Sequence, residues 1–406
     1  MNTPMNVATR PLGSRRDTQR LLAPEHRGHQ GPVDDLPALS LDALKALAEE
    51  SGLTGRGGAG FPTAIKLRAV AEARRAPVVV GNAMEGEPLS DKDAVLLNRA
   101  PQLVVDGLLV VSHALRAKRT ILAVGPGIGT EAVQAAADRR RERTLVEIAR
   151  LQGGFVAGQE SALVNQLEGR RAVPRDPLVR VTTRGVDGRP TLVLNAETLA
   201  QLALAARHGS AWYRSSGTHD DPGTSLFTVS GAVSRPGVVE AARGTRLGDV
   251  LAPAGPLDPV AVLVGGYHGA WVPAAALDTR LTHADLRRYG ATVGAGVLHV
   301  LGSGRCPLRA AAEIAGYLAD ESAGQCGPCI NGLPRMADSL RRLADRRPDP
   351  RLPAEIDHLR RLVIGRGACA HPDGTARMVA STMHVFANHV AAHLAGWCPT
   401  DERGPR

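Results

Sequence analysis

Aromatic residues are scarce in this 406-residue chain, at 3%. That excludes the stacking platforms on which single-stranded nucleic acids lie. Lysine is scarcer still: of 49 basic residues only Lys45, Lys66, Lys92 and Lys118 are lysines, and the rest are arginines spread along the chain. The formal charge of +9 therefore reads as a codon preference rather than a binding patch, and no nucleic-acid partner is expected. A basic surface instead suits a dinucleotide or an acidic protein. Five cysteines (Cys306, Cys326, Cys329, Cys369 and Cys398) are too few for a disulfide framework in so long a chain, which points to a reducing cytoplasm. No uninterrupted apolar run of about 18 residues occurs, so no direct membrane insertion is expected, and any work at the inner face of a membrane would go through partners. Ser14-Arg15-Arg16 is not followed by an apolar stretch, and residues 1–40 read as a polar, mobile tail.

What is present is enough apolar residue, 43%, to build two or three cores. "SLDALKALAEESG" has a Ser40 cap, helical apolar spacing and Gly52 as a stop. Beyond it "APVVVGNA", "RTILAVGP" and the start of "TLVLNAETLAQLALAARHG" read as strands. "PQLVVDGLLVVSHALRA" and the whole of "GTEAVQAAADRRRERTLVEIARL" read as helices. Strands alternating with helices predict a mostly parallel α/β sheet over 41–221. Short strands separated by Gly/Pro turns then predict a β-rich domain over 222–303. Four helical patterns, the last of them "RMVASTMHVFANHVAAHL", predict a helical bundle over 304–398.

Four stretches carry chemistry. "GLTGRGGAGFPTAIKL" (52–67) is a glycine-rich loop entering a helix, suited to letting backbone N–H groups approach an anion, with Lys66 as an added charge. "GNAMEGEPLSDKD" (81–93) follows a strand, where ligands of parallel sheets bind, and carries Glu85, Glu87, Asp91 and Asp93. It is either a site loop or an ordinary solvated one. "GGFVAGQESALVNQLEGRRAVPRDP" (153–177) adds another glycine turn, a helix and an arginine trio, which suits phosphate binding or a solvated charge run. "ESAGQCGPCINGLP" (321–334) holds Cys326 and Cys329 at a spacing that suits a metal, an iron–sulfur cluster or a redox dithiol.

Taken together and in this order, these stretches resemble the flavin- and NADH-binding subunit of respiratory complex I and the related diaphorase subunits of NAD-linked hydrogenases and formate dehydrogenases. "AGQESALVNQLEGRRAVPR", "LNAETLA", "SLFTVSGAVSRPGVVEAARGTRLGDVL" and "GRGACAHPDG" extend the likeness from about 41 to 394. The resemblance implies a Rossmann-like α/β flavin and nucleotide domain, a β-grasp (SLBB) insert and a C-terminal helical bundle with an iron–sulfur loop. It implies that NADH delivers a hydride to FMN, which releases electrons singly to a cluster and on to a partner electron-transfer subunit or ferredoxin-like protein. By the same likeness Gly55, Arg56, Gly57, Gly58, Gly60 and Lys66 line the flavin site, and Asn82, Glu85, Asn195 and Thr198 bond its ribityl and phosphate groups. Phe61 lies against the adenine, Glu87 near the nicotinamide nucleotide, and Gly158, Gln159 and Glu160 beside the dinucleotide. Glu85 and Glu87 are the catalytic candidates, and Cys326, Cys329 and Cys369 the metal ligands.

The chain departs from the family pattern at four places. Ala323 stands where the first cysteine of C-x-x-C-x-x-C belongs, leaving three thiolates of the usual four. Three suit a [3Fe–4S] cluster, a [4Fe–4S] cluster with Ser322, His371, Cys306, Cys398 or water at one iron, a Cys₃His zinc site with His371, or three plain thiols. Met84 replaces an aspartate, which weakens FMN binding by about 1.5–3 kcal/mol if a charged hydrogen bond is lost. Gln159 replaces a glutamate, which relaxes discrimination against NADPH. Leu89, Ala94 and Leu194 replace three further loop residues. An FMN-dependent dehydrogenase subunit is the expected function. A cluster-free flavin enzyme and a non-catalytic assembly module are the alternatives.

Overall fold

The computed structural model describes residues 19–26, 35–140, 145–175 and 178–401. It falls into two compact units, one of Met1–Thr228 with Gly237–Thr245, the other of Val229–Pro236 with Arg246–Arg406.

Strands β1 (Val78–Ala83), β2 (Arg119–Val124), β3 (Val146–Arg150) and β4 (Thr191–Asn195) form the sheet of the first unit, every pairing parallel, in the order β3-β2-β1-β4. A strand covered on both faces must be apolar on both, and β1 is. Val79 and Ala83 enter a core with Leu44, Leu67, Leu108 and Leu199, while Val78 and Val80 enter a second core with Ile121, Leu163 and Val193. Helices Leu41–Ser51, Thr63–Ala71, Pro101–Ala114 and Ala196–His208 supply the first core, and Glu160–Leu167 supplies the second. Gly107 lets two of these helices touch, since a Cβ there would lie 2.0 Å from the Leu199 carbonyl oxygen. The first helix has the ends its sequence predicts, with Ser40 Oγ accepting from Ala43 N at 3.2 Å and Gly52 at φ +64°.

The segment read as one helix from 129 to 151 instead gives a short helix, Glu131–Asp138, and the strand β3. Val146 and Ile148 alternate with Glu147 and Ala149, and the sheet edge takes up this period of two. Part of the expected mobile tail is docked. The amides of Arg20, Leu21 and Leu22 each donate to the Glu240 carboxylate at 3.0 Å, and Leu21 and Leu22 are buried. The rest of the tail lies outside the described residues.

β5 (Thr224–Gly231) carries the chain from the first unit into the second, and β6 (Gly237–Ala242) belongs to the first. In the second unit β7 (Pro259–Val264) pairs antiparallel with β8 (Ala270–Pro273) and with β9 (Val297–Gly302). Helices Pro307–Asp320, Leu333–Ala344 and Leu352–Val363 follow. The fourth helix expected here is two, His371–Val385 and Ala387–Leu394, broken at Phe386 (φ −108°, ψ 33°), whose ring stacks edge-on against Trp271 at 5.5 Å.

Candidate functional site

In a doubly wound sheet the chain reverses its direction of growth at one point, and a crevice opens there at the strands' carboxyl ends. In this order the reversal lies between β1 and β4. Asn82 and Asn195, the register partners nearest that end, flank it.

Three loops converge on this pair. Asn82 Nδ2 donates to the Gly158 carbonyl at 2.9 Å, and Asn82 Oδ1 accepts from Met84 N at 3.0 Å, which ties the 81–87 loop to the 153–160 loop. A Cβ at Gly86 would lie 2.7 Å from the Phe155 carbonyl oxygen, and one at Gly158 2.9 Å from that of Met84, so these loops touch through bare backbone. The 52–62 loop is closed at its base, where Thr54 bridges Pro62 and Gly55 N donates to Phe61 O at 2.9 Å. Its flank at Gly57 rests on Asn195, 3.4 Å from a Cβ, and at Gly58 (φ +122°) no atom lies within 4 Å of that position. The helix that follows, Thr63–Ala71, has no side-chain cap. A glycine cradle, backed by Asn195, open at Gly58 and leading to an uncapped helix N-terminus, fits a phosphate-bearing cofactor such as FMN.

The side chains within this frame are placed as follows. Lys66 Nζ pairs with the Glu160 carboxylate and donates to Val193 O at 3.3 Å, in the middle of β4. Phe61 is exposed. Arg56 donates its backbone N–H to Thr198 Oγ1 at 2.9 Å, but its guanidinium turns inward to Thr54 Oγ1 and the Tyr213 hydroxyl, which withdraws that charge from the loop's open side. Gln159 caps the helix Glu160–Leu167, its Oε1 accepting from Ser161 N, Ala162 N and Ser161 Oγ. Glu87 Oε1 accepts from Leu89 N at 3.3 Å. Met84 is buried in the second core, beside Ala157 and Leu163.

Glu85 caps the helix Lys92–Arg99, accepting from Ser90 Oγ at 2.6 Å, Asp93 N at 3.1 Å and Ala94 N at 3.2 Å. Loss of water, then the Asp93 carboxylate, push its pKa up to about 7. Next to it lies a group absent from the sequence-derived site residues. Buried Lys92 meets Asp93 at 2.7 Å, Glu197 at 3.1 Å and Asn195 Oδ1 at 3.3 Å. Burial alone would lower the Lys92 pKa, but the carboxylates of Asp93, Glu197 and Glu85 hold it above the ordinary lysine value. Asn195 Nδ2 donates to Asp93 at 2.7 Å, so this network fixes the asparagine against which the glycine loop rests. The signal was available in the sequence, as the Lys-Asp pair closing the acidic loop in a chain with only four lysines.

In the second unit Cys326, Cys329 and Cys369 share one neighbourhood. Burial, then the thiols of Cys326 and Cys369, push Cys329 up to about 12, and burial, then Cys326 and Asp373, raise Cys369. Mutually repulsive as thiolates, the three form a donor set that a positively charged iron–sulfur core would stabilise. His371 is committed elsewhere: its Nε2 donates to Leu318 O at 2.7 Å, and its Nδ1 faces His268 Nε2 at 3.1 Å. Cys306 and Cys398 sit with His393 in a separate buried group.

Comparison with known proteins agrees with this geometry. Residues 48–204 match the Nuo51 FMN-binding domain, 226–261 the SLBB domain, and 309–393 the NADH-ubiquinone oxidoreductase-F iron-sulfur binding region. These matches define a flavin-binding, iron–sulfur-binding protein of the electron-transfer class. The second F subunit of NADH-quinone oxidoreductase in Rhizobium meliloti (strain 1021) is 30% identical over 87% of this chain and 89% of its own length. The F subunit of the Escherichia coli (strain K12) enzyme is 30% identical over 94% and 91%. An NAD+-reducing [NiFe]-hydrogenase in the H2-reduced state superposes with a TM-score of 0.83 at 31% identity, covering 92% of this chain and 68% of the matched one. The chain belongs to the family of NADH-quinone oxidoreductase F subunits.

Proposed function

We propose that this protein is the NADH-oxidising subunit of a larger redox assembly, working in the cytoplasm and passing electrons to a partner electron-transfer protein. The observation that carries this reading is the Asn82–Asn195 pair at the sheet reversal, with the glycine loop resting on Asn195 and the 153–160 loop tied to Asn82. Bound FMN would supply the conversion of a two-electron hydride donor into single electrons. The chain's own residues bind and orient. The backbone of Gly55, Gly57, Gly58 and Gly60 receives the phosphate-bearing end, with Lys66 supplying positive charge. Asn82, Asn195 and Thr198 fix the loop backbones around it. Glu85 holds the acidic loop on its helix, Glu87 faces the nucleotide side, and Phe61 is the exposed ring for the adenine. Cys326, Cys329 and Cys369 hold the iron–sulfur cluster, with one iron lacking a cysteine because position 323 is alanine.

Gln159 bears on which nucleotide is accepted. As a neutral cap it satisfies the helix N-terminus without a charge, so nothing at this position repels a ribose 2′-phosphate. NADPH is accepted at a rate comparable to that of NADH. A second reading, a flavin enzyme without a cluster, is favoured by Ala323 alone. One experiment separates these readings: visible spectra of anaerobically purified protein before and after NADH and, separately, NADPH. A flavin band bleached by both nucleotides, over a sulfur-to-iron shoulder, is the expected result. Bleaching without the shoulder supports the cluster-free enzyme, and bleaching by NADH alone removes the role given to Gln159. A featureless spectrum unchanged by FMN and iron–sulfur reconstitution sinks the dehydrogenase reading.

A further inference from the structure

We propose that Cys306, His393 and Cys398 form a mononuclear divalent-metal site of the zinc type, separate from the cluster thiols, that fastens the start of the C-terminal helical region to its end. Their ligand atoms all lie within 4.8 Å of one another, and all three residues are buried, with His393 at 0% and Cys398 at 2% exposure. Tetrahedral zinc, with Zn–S near 2.3 Å and Zn–N near 2.05 Å, places a sulfur and a nitrogen about 3.6 Å apart. Cys306 Sγ lies 3.5 Å from His393 Nε2. A single ion needs this tight spacing.

The surroundings are those of a metal-binding imidazole. His393 Nδ1 donates to the Leu343 carbonyl at 3.1 Å, which sets the tautomer and leaves the Nε2 lone pair facing the sulfur. Cys306 stands at the N-cap position of the helix Pro307–Asp320. Two thiolates and a neutral imidazole balance a divalent charge, which suits a site whose charged neighbours are Arg309 and Arg346. Three protein ligands leave a fourth position for water.

The three ligands come from two distant parts of the chain. Cys306 precedes the helix Pro307–Asp320, His393 lies on Ala387–Leu394, and Cys398 follows that helix, beyond Gly396 at φ +87°. An ion here would cross-link both ends of the helical region, with the helix Leu333–Ala344 held through Leu343.

The test is anaerobic titration of the full chain with Co²⁺ alone, in a background of Cys326→Ser, Cys329→Ser and Cys369→Ser that removes the cluster thiols. The expected result is one equivalent bound, with the intense visible bands of tetrahedral cobalt and a sulfur-to-metal charge-transfer band. Adding His393→Gln or Cys398→Ser should lower the affinity at least tenfold. As a second measurement that does not depend on the triple background, the otherwise unaltered chain is dialysed against chelator and its zinc and iron determined. One zinc per chain, lost in Cys398→Ser with iron unchanged, supports the site. Absence of tetrahedral cobalt bands in a chain of native circular dichroism, or zinc content unaffected by Cys398→Ser, overturns it. So does recovery of Cys306 and Cys398 as a disulfide that no reductant converts to a metal-binding form.

Discussion

Glu85 holds its proton because of what surrounds it. Three carboxylates, Glu85, Asp93 and Glu197, share the single ammonium of Lys92 in a region largely withdrawn from water. One positive charge cannot stabilise three negative ones there, so the carboxylate farthest from the ammonium takes up a proton near neutrality. Its folded pKa, about 7, stands above the ordinary 4.5. The stability this contributes is therefore complete below about pH 4.5 and is lost as pH rises through 7. In flavin-free protein, stability from this source should fall by about 1–3 kcal/mol between pH 5 and pH 8. Glu85→Gln, which keeps an acceptor oxygen for the helix N-terminus, should flatten that slope. Thermal melts of both proteins across the range check it, and an identical slope in the variant would assign the proton to another group. The glycine-rich loop and Lys66 were legible from residue type and spacing, and Asn82 and Asn195 only through the family likeness. The inward turn of Arg56 was not, because its partner Tyr213 is 157 positions away.

The loops of the crevice depend on each other more than on their own helices. The 81–87 and 153–160 segments meet backbone to backbone at Gly86, Gly154, Phe155 and Gly158, so any side chain at Gly86 must separate them. Gly86→Ala should cost about 1–3 kcal/mol of stability and weaken FMN binding by a larger factor than Gly304→Ala, a site with open space around its Cβ position. Fluorescence quenching of FMN on titration with each variant measures the difference, and equal affinities would show that the two loops do not set the flavin site together. Helices with a cap and a stop, such as Leu41–Ser51, were legible because local side chains define their ends. Strand β3 was hidden because an arginine-rich run precedes it and "TLVEIARL" satisfies both periods; pairing with β2 decides between them. The break at Phe386 has no proline or glycine to announce it, and its ring contact with Trp271 comes from a strand more than a hundred residues earlier.

The chain divides its chemistry between two units. All the crevice segments lie in the first, and all five cysteines in the second. Parallel strands alternating with helices made the first unit readable, whereas the second needed long-range packing to show that Cys306 and Cys398 stand apart from Cys326, Cys329 and Cys369. That separation decides what the missing cysteine means. If Cys306 or Cys398 joined the other three thiols, the loss at Ala323 would be made good from within the fold; grouped with His393, they leave it uncompensated. His371 cannot replace the missing thiolate without giving up Leu318 O or His268. A [4Fe–4S] cluster on three thiolates would have one iron that water or an exogenous ligand can reach, and such an iron would be the first to be lost. Ala323→Cys, at a half-buried position just before the exposed Gly324, should therefore raise iron toward about four per chain and slow its loss in air severalfold, with FMN content and the bleaching by NADH unchanged. Iron and sulfide analysis with electron paramagnetic resonance of the reduced protein measures this. A rise in iron with flavin behaviour constant places the alanine at the cluster and identifies the defect in the relay rather than in hydride transfer. Iron content and air stability indifferent to the substitution would mean that position 323 lies out of reach of the cluster, and that the three remaining thiols work without a fourth.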